Sequence, residues 1–394
     1  MPLSRRILGA FLALLIVFAF LFTLAGEDLL SANSAKMPSV FIGVDVAFGN
    51  ETAVYTIANA VYGFSNLIIV GSLNVTRDTA ALTRVCDFLF QKGFYFIVYV
   101  GFAKTNFLPP QGPDPSFLST ASTRWGNKFL GLYLFDEAGG RQLDSTDKVV
   151  PRVPNSTFEA RDYSYASEAF VETLTGALTM NANWFSPSPM KSQLFTSDYA
   201  LYWYDYLGGY GTVFGEFVGD QSRQIVVALD RGAANVFGRN WGTMITYQEN
   251  GPENPSKLYS DMTVAWRSGA KYIIVFDGNS TDASTSGALT QAHLDEMKLF
   301  WNYTKTNKQG IEYSADAAYV IPADYGCAFR GSSDTIWGLW NADTLSTTLL
   351  NTANSLLATY GNNLDIVYQN RVDSQPIALP YKTLIFWNGT TIQK

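Results

Sequence analysis

The sequence predicts an α/β fold: a (β/α)₈ TIM barrel, preceded by one transmembrane helix and followed by a small α/β appendage. Three observations predict it. Eight strand-like runs alternate with helix-like runs, and several of the former are unbroken stretches of Val, Ile, Phe and Tyr, the pattern of strands buried on both faces of a parallel sheet. Their starts recur about every 33 residues, the period of a β-α unit, and eight such units approach the roughly 250 residues of a closed barrel. The competing open, doubly wound sheet lacks its dinucleotide fingerprint, because Val46-Ala47-Phe48-Gly49-Asn50 follows the first strand where Gly-x-Gly-x-x-Gly would be needed.

The N-terminus comes first. Arg5 and Arg6 precede a charge-free apolar run from Ile7 to Gly26, about 20 residues and long enough as a helix to cross a bilayer core. Ser4-Arg5-Arg6 resembles a twin-arginine export signal, and Ala32-Asn33-Ser34 is a weak cleavage site set well past the apolar run, so a retained anchor is expected. The positive end then stays in the cytoplasm and the remainder is exported. Six Asn-x-Ser/Thr sequons, at Asn50, Asn74, Asn155, Asn279, Asn302 and Asn388, fit an N-glycosylated surface protein. Residues 1–37 are thus expected to form the cytoplasmic tip, anchor and linker.

The barrel is expected over residues 38–310, with strands at 40–46, 67–71, 94–100, 129–135, 193–196, 211–217, 241–247 and 271–276. Amphipathic helices lie between them, for instance at 78–92 stopped by Gly93 and at 255–268 stopped by Gly269. A helix at 289–308 completes the eighth unit. Residues 311–394 read as the appendage, with strands at 317–321, 364–368 and 383–387 and a helix near 345–360. Trp337 and Trp340 are expected to fasten it to the barrel.

Composition narrows the chemistry. Twenty-seven basic residues against 34 acidic ones give a net charge of −7, which repels phosphate backbones, so no nucleic-acid partner is expected. The two cysteines, Cys86 and Cys327, lie in apolar segments and read as buried thiols. The single histidine, His293, falls in a helical pattern as a solvated residue. A Ser-His-Asp triad or a multi-histidine metal site therefore has no imidazole to work with. Carboxylates alone could hold Mg²⁺ or Ca²⁺, yet no cofactor or metal is called for.

Barrel active sites lie at the C-terminal strand ends, and here those ends are acidic: Asp45, Asp136-Glu137, Asp198, Glu216, Glu249 and Asp277. The segment Leu132-Tyr133-Leu134-Phe135-Asp136-Glu137-Ala138-Gly139-Gly140 delivers two carboxyls into a glycine turn beside aromatic rings that would raise their pKa. Alternation along a strand turns only one of the pair to the mouth, and Glu137 has the longer reach. The same acids could instead cap helices or pair with Arg141, Arg223, Arg231 and Arg239. Tyr199, Tyr202, Trp203, Tyr204, Tyr206 and Tyr210 crowd the segment after strand five. These rings, with Trp241, suit the C-H faces of sugars or else pack a helix on the barrel.

An acidic dipeptide closing strand four, further acids closing later strands, and an α/β appendage after the eighth unit together resemble the retaining glycoside hydrolases of the barrel superfamily. That clan carries an Asn-Glu acid/base after strand four and a Glu nucleophile after strand seven. Here Asp136-Glu137 stands in place of Asn-Glu, which carries the acid role to Glu137. Glu249, two residues beyond Tyr247, and Glu216, closing strand six, are the candidate partners, with Asp136 beside them. The resemblance implies a glycosidase; with the N-terminal run it makes a membrane-anchored, extracytoplasmic one, and the strand-end acids and neighbouring rings Asp45, Asp198, Tyr199, Trp203, Trp241 and Asp277 are expected to contact a glycan. The alternative is a barrel without catalysis that binds carbohydrate or serves as a cell-envelope surface protein.

Overall fold

A computed structural model describes residues 37–101, 111–150, 160–248, 251–252, 254–278, 287–307, 315–369, 371–372, 375–376 and 379–394. The apolar run 7–26, the Ala32 segment, Asn155, Asn279 and Glu249 lie outside them. Among the described residues no helix is long and apolar enough to cross a membrane. Residues 40–394 form one compact unit.

Eight parallel strands close into a barrel in sequence order. They are β1 (Phe41–Val46), β2 (Leu67–Val70), β3 (Tyr95–Val100), β4 (Phe129–Leu134), β5 (Leu194–Asp198), β6 (Thr212–Phe217), β7 (Asn240–Ile245) and β8 (Tyr272–Phe276). Closure is made by β8 on β1, with Phe41 opposite Tyr272 and Asp45 opposite Phe276. The helices between them start and stop where local chemistry directs. Asp78 caps α1 (Thr79–Gln91) by accepting from the amides of Ala80 and Ala81, and Gly93 follows its end at φ +84°. Asn254 caps α2 (Pro255–Arg267), which has Pro at its first position.

Period-two alternation sorts each strand into an inner and an outer row. Phe41, Leu67, Ile69, Tyr95, Ile97, Tyr133, Phe195, Phe214, Met244, Tyr272 and Ile274 pack together inside the barrel. Aromatic rings dominate: Phe41 stacks on Tyr272 at 5.0 Å, and Phe214 lies 5.8 Å from Phe195 and 5.6 Å from Tyr272. Gly43 and Gly242 face backbone and ring atoms closely enough that a β-carbon would sit 2.5 Å from Leu67 O and 2.7 Å from Tyr272 Cβ, so glycine there makes room for the rings.

After the eighth unit's helix α3 (Gln291–Thr306), the appendage adds β9 (Ala317–Ile321), α4 (Thr344–Tyr360), β10 (Leu364–Tyr368), β11 (Thr383–Phe386) and β12 (Thr391–Gln393), in the sheet order β10-β9-β11-β12. It is welded to the barrel helix α5 (Arg223–Phe237). Arg231 pairs with Asp365 at 2.8 Å, both buried, and Asn235 Nδ2 and Tyr381 OH donate to the other Asp365 oxygen, each at 2.9 Å. Trp337 is fully buried 4.7 Å from the Tyr204 ring and 5.7 Å from that of Phe170. Trp340 meets Tyr163 at 5.0 Å.

Two expectations are corrected. His293 is buried, not solvated: its Nδ1 accepts from the Thr290 amide at 3.0 Å and so closes the N-terminus of α3. Three of the four arginines offered as partners for the strand-end acids are engaged elsewhere, Arg141 with Asp147, Arg223 with Asp261 and Arg231 with Asp365. Cys86 and Cys327 are buried free thiols.

Candidate active site

The inner rows end in polar groups at the mouth. Asp45 continues the row of Phe41, Ser197 that of Phe195, and Glu216 that of Phe214, so a strand that fills the core with one side chain aims the next inward position at the mouth.

Strand β4 stops at Leu134, one residue before the expected end. Phe135 and Glu137 both take the left-handed conformation, at φ 51° and 53°, costly for side chains of this size. The surroundings hold them there: the Phe135 carbonyl accepts from Thr196 Oγ1 at 3.0 Å and Tyr210 OH at 3.3 Å, and the Glu137 amide donates to Ser197 O at 3.0 Å. Strand alternation therefore does not apply, and both carboxyls of the dipeptide enter one cluster, where only one was expected. Asp136 Oδ1 receives Tyr133 OH and Ser197 Oγ, the latter at 2.8 Å; Ser197 Oγ also meets Glu216 Oε1; and the Glu137 carboxyl hydrogen-bonds to that of Glu216.

Counting protons gives this cluster its character. Tyr133 OH, Ser197 Oγ and Asp136 Oδ1 are mutually in contact, the two hydroxyls at 2.7 Å, and Ser197–Glu216 and Glu216–Glu137 add two further contacts. Two hydroxyls supply two protons, and a carboxylate supplies none. Carboxyl protons must complete the network, which burial and like charge also favour. Burial, then the neighbouring charges of Asp136 and Asp198, push Glu137 up to about 8 against the opposing hydrogen bond from Glu216. Glu216 is raised by burial and then by Glu137 and Asp136. Although Asp136 is exposed on the cavity side, loss of water around its carboxyl raises it too, while Tyr133 and Ser197 pull it back.

Beside the cluster opens a cavity of about 410 Å³, lined among others by Asp45, Arg77, Tyr99, Tyr133, Asp136 and Phe276. Asp136 is exposed on its wall and links it to the glutamates.

The other candidates divide. Tyr199 is half-buried near the cluster; its hydroxyl donates to Asp144 Oδ2 at 3.0 Å, and Arg330 from the appendage pairs with Asp144 at 2.6 Å and lies 5.7 Å from the Tyr199 ring. Asp198 is corrected from ligand contact to anchor: on the outward row of β5, it accepts from the amides of Gly139, Gly140 and Ala200, and burial still pushes it up to about 7. Asp277 likewise spends its oxygens on the Gly287 and Leu289 amides, at 3.0 and 3.1 Å. Trp203 is buried against Phe237 and Tyr368, packing the appendage. Trp241 stands near the start of β7, at the opposite end from the mouth, and is buried in the outer layer. Glu249 lies outside the described residues. Ser197, Tyr133, Tyr99 and Arg77 went unmarked in the sequence, although the row shared with Phe195 points Ser197 inward. Among the described residues no group of three or more His, Cys, Asp or Glu could hold a metal ion.

The sequence itself matches no family model and no curated protein. The three-dimensional fold does find counterparts. β-Galactosidase from the Antarctic haloarchaeon Halorubrum lacusprofundi aligns with TM-score 0.53 at 11% identity, over 88% of this chain and 69% of that one. β-Galactosidase from Bacillus circulans sp. alkalophilus gives 0.52 at 11% identity, over 89% and 67%. The architecture shared with these glycoside hydrolases is the closed (β/α)₈ barrel. A GH5_18 protein from Streptomyces cattleya, solved in complex with GlcNAc, aligns at 0.50 with 11% identity over 84% of this barrel-bearing chain and 94% of its own.

Proposed function

We propose that the chain hydrolyses glycosidic bonds at the mouth of its barrel, outside the cytoplasm and tethered by the apolar run that follows Arg5 and Arg6. The observation that carries the chemistry is the joined carboxyl cluster of Asp136, Glu137 and Glu216, which holds more contacts than its hydroxyl protons can satisfy. Glu137, raised to about 8, keeps its proton at neutral pH and donates it to the leaving oxygen. Glu216 and Asp136 stabilise the cation that forms.

The Glu137 and Glu216 carboxyls lie close enough to shift one another's ionisation, whereas a covalent glycosyl intermediate is made across roughly 5 to 5.5 Å. Cleavage through this pair requires one carboxyl to turn toward the sugar. Glu137 is partly exposed and Glu216 buried, so Glu137 is the member that moves. The same contact favours a second reading, a barrel that binds glycans without cutting them.

The test is a panel of neutral glycans offered to the full-length chain and to Glu137→Gln. Loss of hydrolysis by about 10²-fold or more, with binding kept, is the expected outcome for a lost acid. Unchanged hydrolysis removes Glu137 from the mechanism, and binding without hydrolysis by the unaltered chain establishes the second reading. Protease added to intact cells is expected to digest all but the N-terminal tip and span.

A further inference from the structure

The cavity holds a group that the acid/base cluster does not use. Asp45 is only 2% exposed, lines the cavity floor, and its Oδ1 has no hydrogen-bond partner. Buried polar groups are nearly always satisfied, and a buried carboxyl with an unpartnered oxygen, in a residue that lines a cavity, points to a ligand contact. Gly71 makes room for the carboxyl itself: a β-carbon there would stand 2.3 Å from Oδ1.

The charges around Asp45 say what that ligand carries. From the end of β4 comes Asp136 and from the end of β8 comes Asp277, both repelling a charge on Asp45. Asp277 has committed its oxygens to backbone amides, and β3 and β4 contribute only the phenols of Tyr99 and Tyr133. The basic residue lining the cavity, Arg77, is exposed and donates to Gln111. No Lys or Arg pairs with Asp45 or Asp136 among the described residues. Phe48 and Phe276, edge to face at 6.1 Å, supply an apolar wall. Two acidic groups with no cation paired to them, and aromatic rings alongside, suit a cationic, ring-shaped ligand, and about 410 Å³ lies within the usual range of small-molecule sites.

We propose that this cavity binds a sugar bearing a free ammonium group, with Asp45 as its counter-ion and Asp136 as the second acceptor. The sugar part of this proposal rests on the glycoside-hydrolase reading; the ammonium part rests on Asp45. An ammonium there relieves the repulsion between the carboxyls. Burial and the neighbouring acids hold Asp45 well above the usual carboxylate range, so ionising it for the ligand releases a proton.

The experiment titrates glucosamine, galactosamine, glucose and N-acetylglucosamine into the full-length chain near pH 6.5, where an aliphatic amine is charged, in two buffers of different ionisation enthalpy. The monosaccharides contain no bond to cleave. Both amino sugars are expected to bind about ten-fold or more tightly than the neutral sugars, as a charge-assisted hydrogen bond warrants, with a heat that depends on the buffer. Asp45→Asn is expected to erase that preference. Equal binding of all four sugars, or a preference that survives Asp45→Asn, overturns the proposal; the comparison on the unaltered chain decides even if the variant does not fold. Hydrolysis of neutral glycans needs no ammonium, so activity on them with no amino-sugar preference sinks this proposal alone.

Discussion

The amide of Glu137 donates to the carbonyl of Ser197 across 3.0 Å, and through this bond the turn after β4 is carried by β5. The Ser197 hydroxyl then meets both Asp136 and Glu216. Ser197 is thus a positioning residue. Ser197→Ala is expected to lower kcat about 10- to 100-fold, the scale of one hydrogen bond to a charged group, with KM little changed. Since its hydroxyl pulls the pKa of Asp136 and Glu216 down, the acidic limb of the pH–rate profile should move to higher pH, and Ser197→Thr should restore it. A uniform loss at every pH would mean that Ser197 only supports the fold.

Stability should fall as pH rises from about 4 to 8. Glu137 titrates near 4.3 in the unfolded chain and at about 8 in the folded one. The native state holds the extra proton in that window, so each step upward in pH favours unfolding until both states are ionised. Asp45, Asp136 and Glu216 are raised in the same direction. Glu51 and Asp87, lowered by Arg84 and Arg124, act oppositely: their stabilisation is complete above their ordinary pKa and is lost in more acidic solution. A maximum in Tm near pH 4, where the two opposed trends meet, is expected. Glu137→Gln should gain Tm relative to the parent at pH 8 and not at pH 4; parallel curves would show that Glu137 titrates normally.

Removing the Arg231 side chain strands Asp365, which is fully buried. Arg231→Ala should cost about 3 to 5 kcal/mol in urea unfolding. Replacing both partners with Met and Leu should recover most of it, because the uncompensated charge is then gone. A double variant as unstable as the single one would place the cost in lost packing instead.

The barrel was legible because parallel strands buried on both faces read as apolar runs, and helix stops such as Gly93 and Gly269 are local signals. The site was legible only in part. Glu216 shares its row with Phe214 and could be placed from alternation, whereas Asp198 sits one position out of step with Phe195 and so faces the helices. Trp241 has the right chemistry at the wrong end of its strand, a distinction that depends on where β7 begins. The turn at Phe135 and Glu137 had no sequence signal: neither residue favours a left-handed backbone, and the groups that hold them, Thr196, Ser197 and Tyr210, come from 60 to 75 positions along the chain. Membership of the carboxyl cluster was decided by that turn.

The rings stacked beneath the mouth, Phe41 on Tyr272 with Phe195 and Phe214 beside them, give the barrel a solid floor. Among the described residues those rings leave no way through underneath, so a ligand bound above Asp45 would have to leave on the mouth side, and one that fitted too well would stand in the path of its successor.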